Sequence, residues 1–174
     1  PPGRDIYQAM QASSKVGPLV LAYRYMGPDH LDHAPETETG DERPTTVPQT
    51  GFAGNLPMDN RNFVGIQQFV ANKIARKADG RIGPEQVAGL MDAAAAETRK
   101  YSEGVQLPPG RMADEWRLLK TDLLAAAALG EYYAARIRGS MHLAYALQVA
   151  SDSDYQQGMK ALAAARAASS VVAG

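Results

Sequence analysis

From Met112 to Ala150 the chain runs for about 39 residues without a proline, and its apolar residues keep helical spacing throughout. Trp116, Leu119, Leu123, Ala126, Gly130, Tyr133 and Ile137 recur at alternating steps of three and four, which places them on one stripe of a helix. Proline would remove a backbone donor and clash with the preceding turn, so its absence leaves nothing to interrupt that helix. Large residues hold the two ends of the stripe. Small ones, Ala126 and Gly130, hold its middle, where a neighbouring helix can come close. A helix of that length would measure about 58 Å at roughly 1.5 Å per residue. This is long for one compact domain, and a bend near Gly139-Ser140 is the expected relief.

Shorter helices surround this one. Asp5 to Met26 reads as two short helices or one kinked helix, interrupted at Gly17-Pro18, with Leu19–Tyr25 largely buried. Asp59 or Asn60 is placed to cap a helix carrying Phe63, Ile66, Val70 and Ile74, with Lys73, Arg76 and Lys77 in its last turns and Asp79-Gly80 closing it. Gly83-Pro84-Glu85 is a helix start, followed by the stripe Val87, Leu90 or Met91, Ala94, Thr98 and Tyr101. Ser102-Glu103-Gly104 ends that helix, and Leu107-Pro108-Pro109-Gly110 is a rigid connector. The cluster Ser151-Asp152-Ser153-Asp154 caps a last helix that carries Tyr155, Met159, Leu162 and Ala165 or Arg166, fraying from Ser169. Short connectors between the last three helices favour antiparallel neighbours. The expectation is an all-α helical bundle of about five helices, with residues 1–58 (a kinked helix and a long loop) packed on a bundle formed by 59–174.

The exception to helical patterning is Gly27 to Met58, where Pro28, Pro35, Pro44, Pro48 and Pro57 recur with Gly27, Gly40, Gly51 and Gly54. Loops this long in compact domains are commonly functional or disordered, which draws attention to this one. It holds His30 and His33 with Asp29, Asp32, Glu36, Glu38, Asp41 and Glu42. Imidazole and carboxylate donors suit zinc or another divalent first-row metal, so His30, Asp32, His33 and Glu36 are a candidate ligand set for a metal-dependent enzyme. The alternative is a solvated acidic loop with incidental histidines and no cofactor. Tyr23, Arg24 and Tyr25 lead into the loop and are candidate substrate-binding residues. Rings pack on sugar C–H faces and Arg binds anions bidentately, although a core-facing helix end would use tyrosines equally well.

On the long helix, Asp122 sits among Leu118, Leu119 and Leu123 and would need an Arg partner if buried. Glu131, Arg136 and Arg138 read as a solvated face, and His142 is isolated. Catalytic residues are not assignable: nucleophile elbow, P-loop and dinucleotide motifs are missing from the sequence. The absence of cysteine excludes disulfides and thiolate chemistry. A net charge of −1 with scattered basic residues argues against nucleic acid. No apolar run approaches the roughly 20 residues of a membrane span. The opening Pro1-Pro2-Gly3-Arg4-Asp5 lacks Met and any charged-then-apolar leader, so the chain is expected to be a segment of something larger.

Gly3-Arg4-Asp5-Ile6-Tyr7, the Asp114–Leu124 stretch and the run Leu129-Gly130-Glu131-Tyr132-Tyr133-Ala134-Ala135-Arg136-Ile137-Arg138-Gly139 together resemble the C-terminal helical region of large bacterial proteins similar to glycoside hydrolases. The resemblance implies a secreted or periplasmic, carbohydrate-active parent polypeptide whose catalytic domain lies elsewhere. In that case this segment would be a non-catalytic accessory module, with the 27–58 loop bordering a substrate cleft. A helical protein–protein interaction module, docking through the long-helix stripe, is the further alternative.

Overall fold

The computed structural model describes residues 2–23 and 56–172. Among the described residues the chain is all-α, with α1 at Pro2–Ser13, α2 at Val16–Tyr23, α3 at Ile66–Ile74, α4 at Pro84–Gly104, α5 at Arg111–Val149 and α6 at Asp152–Val172. Among the described residues the helices number six, or five when α1 and α2 are taken as one broken helix. The only pairing of extended backbone among these residues is an isolated parallel bridge between Phe63 and Ile82.

Helix α5 is uninterrupted across its 39 residues, and the bend expected at Gly139-Ser140 is not a break in it. It is stabilised along its length by different neighbours. Near its start, Trp116 and Leu123 join Ala9 of α1 and Val105 in one core. Further along, Tyr133, Ala134, Ile137 and Ala144 join Val16 and Val20 of α2, Ile66 and Val70 of α3, and Val87, Met91 and Ala94 of α4. The stripe expected from the sequence is thus covered by the chain's own helices and is not an outward docking face. Gly130 marks a close approach, since a Cβ there would lie 3.3 Å from Val16 and 3.5 Å from the Met91 carbonyl oxygen.

Helix α6 packs on the far half of α5. Gly139 and Gly158 form that contact. A Cβ on Gly139 would stand 2.7 Å from Leu162 Cγ and 3.2 Å from the Gly158 carbonyl oxygen, and one on Gly158 would meet Leu143 at 2.9 Å. Gly139 is therefore the point of closest helix crossing, a role its expected kink concealed. Ion pairs fix the register on the opposite side, where Arg138 meets Asp92 at 2.6 Å and Arg99 holds Glu131 through two bonds of 2.7 and 2.8 Å. The partner numbers fall in α5 as they rise in α4, so the two helices are antiparallel. Glu131 and Arg138 are thus interhelical links and not a free solvated face.

Helix boundaries follow local chemistry. The first break falls at Ser14-Lys15, ahead of Gly17-Pro18, because Pro18 sits in the first turn of α2, where the missing N–H has no intrahelical acceptor to lose. Of the segment expected to be buried there, Val20 and Ala22 are buried but Leu21 is 41% exposed. Helix α3 starts at Ile66, later than expected. Asp59 accepts the Arg61 and Asn62 amides in a turn of its own, and Val64 N–H is taken by the Ile82 carbonyl. It also stops before Asp79: Arg76 adopts φ 54°, and Lys77 N–H returns to the Asn72 carbonyl at 2.8 Å, a Schellman closure. Met91, and not Leu90, continues the α4 stripe, as Leu90 is 47% exposed.

Two glycine substitutions separate packing from propensity. Gly89 lies exposed within α4 with open space at its Cβ, so Gly89→Ala should raise stability by about 0.5–1 kcal/mol through helix propensity. The same gain applies at Gly139, but it competes with overpacking that costs roughly 1–3 kcal/mol. Gly139→Ala should therefore be destabilising in chemical denaturation while Gly89→Ala stabilises.

Candidate functional site

The cleft that gathers chemically distinct side chains lies where α3, α5 and the start of α6 meet. It has a volume of about 320 Å³ and is lined by Phe69 and Lys73 from α3, Met141, His142 and Tyr145 from α5, and Asp154 from α6, with Val70 at its base. Each position follows from the packing. Val70 buries inward, which leaves Phe69 and Lys73, one turn apart, at the edge of α3. The crossing at Gly139 and Gly158 sets the antiparallel register of α5 and α6, and that register brings position 142 opposite position 154.

His142 Nδ1 lies 3.2 Å from Asp154 Oδ1. The other carboxylate oxygen, Oδ2, accepts the Ser151 hydroxyl at 2.6 Å, while Ser151 Oγ accepts the Asp154 amide at 3.3 Å. Ser151 and Asp154 are thus a reciprocal cap for the first turn of α6. Ser151, His142 and Asp154 do not form a nucleophilic triad, because the serine donates to the carboxylate and not to the imidazole. The hydroxyl bond from Ser151 is the largest influence holding the Asp154 carboxyl below its ordinary range; partial burial opposes it, and His142 and Lys73 assist. The carboxylate in turn orients the imidazole through Nδ1, leaving Nε2 as the nitrogen available to a ligand.

A second cavity of about 320 Å³ shares Phe69 and Lys73 and is bounded by Asn72, Asp79 and Arg81. Here the polar groups are largely committed to each other. Arg81 grips Asp79 through Nε at 3.0 Å and Nη2 at 2.7 Å, and its Nη1 donates to the Asn60 carbonyl at 3.0 Å. These bonds from Arg81 hold the Asp79 carboxyl down to about 2. Asn72, which is buried, donates to Asp79 and accepts from Gln68. The network ties the segment after α3 to the turn before it. Gly83 leaves room for the Phe69 ring, whose edge would sit 2.8 Å from a Cβ there.

Of the residues singled out from the sequence, Tyr23 closes α2, and Arg24, Tyr25, His30, Asp32, His33 and Glu36 lie outside the described residues. Among the described residues no group of three or more His, Cys, Asp or Glu side chains is placed to hold a metal ion. None of the helices among them is long and apolar enough to cross a membrane. Asp122 is exposed, so it needs no buried Arg partner. Arg136 is buried and donates to Tyr132 Oη at 2.9 Å, with its guanidinium carbon 5.8 Å from that ring. His142, expected to be isolated, is paired across the helix hairpin. Phe69, Lys73, Met141 and Tyr145 were not legible as site residues, because each serves an ordinary amphipathic helix pattern and only the docking of α3 on α5 brings them together.

The depressed Asp154 carboxyl makes a signed prediction. Its contribution to stability is present above the ordinary carboxylate value of 3.8 and is lost as pH falls through the lower folded value. Asp154→Asn should therefore cost about 1 kcal/mol near neutral pH, the scale of a helix cap. The gap between variant and native unfolding midpoints should close on acidification. No protein-family model, curated protein or solved structure matches this chain.

Proposed function

We propose that this chain is a non-catalytic helical module of a larger carbohydrate-active protein, and that the cleft between α3, α5 and α6 is its saccharide contact. The observation that carries the proposal is the composition of the cleft wall: the rings of Phe69 and Tyr145 with Met141 stand beside Lys73, His142 and Asp154. Saccharides present apolar C–H faces and polar edges, and a wall that alternates rings with charged and hydrogen-bonding groups suits both. A volume of about 320 Å³ falls at the small end of ligand sites. The resemblance of the 129–139 run to helical regions of glycoside hydrolase-like proteins points the same way.

Binding is favoured over hydrolysis by the state of the carboxylate. Glycosidases use two carboxyl groups flanking the bond, separated by about 5–10 Å. Among the described residues that line this cleft, Asp154 is the one carboxylate, and it is occupied by Ser151 and His142.

The test is a titration of the full chain with a panel of oligosaccharides, followed by amide and side-chain NMR. Binding should perturb residues around Phe69–Lys73 and Met141–Tyr145, and Tyr145→Ala should weaken it by about tenfold, as expected for loss of a stacking ring. An unchanged circular dichroism spectrum would show that the variant is folded. Robust hydrolysis of polysaccharides or aryl glycosides by the chain alone would overturn the non-catalytic reading.

A further inference from the structure

We infer that the saccharide selected by this cleft carries a carboxylate, held by Lys73 with His142 beside it; the inference rests on the saccharide-binding role proposed for the same cleft. The charges lining the cleft are Lys73 from α3, His142 from α5 and Asp154 from α6, and Tyr145 is the further titratable group on α5. Asp154 is committed, because its two oxygens face His142 and the Ser151 hydroxyl. The Lys73 side chain is exposed and closes no hydrogen bond or ion pair among the described residues, though its charge acts on Asp154 across the cleft.

The sign of the balance depends on His142. With the imidazole protonated, the His142–Asp154 pair is neutral as a unit and Lys73 is left as the uncompensated charge. With the imidazole neutral, the Asp154 carboxylate opposes Lys73 and the field across the cleft cancels. Histidine is the side chain whose charge ordinarily changes between about pH 5 and 8. A ligand carboxylate is thus held more tightly when the imidazole is protonated than when it is neutral. A neutral sugar of the same shape gains nothing from the change. Phe69 and Tyr145 supply the stacking common to both, so the carboxylate determines selectivity and the rings determine basal binding.

The experiment compares a glucuronate-containing disaccharide with its neutral glucose counterpart by isothermal titration calorimetry on the full chain, at about pH 5.5 and about pH 8. The acidic sugar should bind about tenfold more tightly at the lower pH, the size of one charge-assisted hydrogen bond, and the preference should shrink at the higher pH. Lys73→Gln, a change at an exposed position, should erase the preference, so that the acidic and neutral sugars bind with equal affinity. His142→Gln should flatten the pH dependence. Equal affinity for the two sugars, or a preference that survives Lys73→Gln, would overturn the inference and leave the saccharide cleft standing. Failure of both sugars to bind would overturn the cleft reading as well.

Discussion

Helices α5 and α6 can lie as close as they do because glycines face each other where they cross. Neither Gly139 nor Gly158 has room for a Cβ, since Leu162, Leu143 and the opposing carbonyl oxygens fill the space. This contact does more than pack two helices. It sets how far α6 slides along α5, and that offset decides which side chains meet at the turn of the hairpin. His142 faces Asp154 because Gly139 faces Gly158. The cap of α6, the orientation of the imidazole and one wall of the cleft all depend on that offset.

The rest of the molecule is organised around α5 in the same way. Its first half closes a core with α1 and the end of α4, and its middle closes another with α2, α3 and α4. Burying a side chain such as Ile137 or Met91 contributes roughly 1.5–3 kcal/mol, so these two cores outweigh the partly exposed ion pairs beside them. The pairs Asp92–Arg138 and Arg99–Glu131 add register more than stability. A helix this long stays unbroken with successive neighbours covering its inward stripe along its length.

The architecture was largely legible from residue spacing. The proline-free run from Met112 and the starts at Pro84 and Ser151 lead directly to helices, because period and capping are local properties. Errors arose where tertiary contacts override local signals. Gly139 looks like a hinge in isolation and is a crossing point in the fold. Asp59 looks like a helix cap, but the Val64–Ile82 hydrogen bond takes the following residues into an extended bridge. Arg76 ends α3 in a left-handed conformation that glycine would be expected to occupy. The cleft was less legible still. His142 and Asp154 are twelve residues apart, and nothing short of the hairpin register shows that they pair. Lys73 and Phe69 arrive from a third helix whose docking leaves no mark in the spacing.

The central claim is that the α5–α6 crossing places His142 against Asp154 and leaves the other imidazole nitrogen to the cleft. Long-range proton–nitrogen NMR correlations of the His142 ring, in the unliganded chain at a pH where the ring is neutral, test it most directly. The account requires the proton on Nδ1, toward Asp154, with Nε2 unprotonated. A neutral ring with its proton on Nε2 would mean that Asp154 does not orient the histidine, and the cleft would have to be rebuilt without that contact.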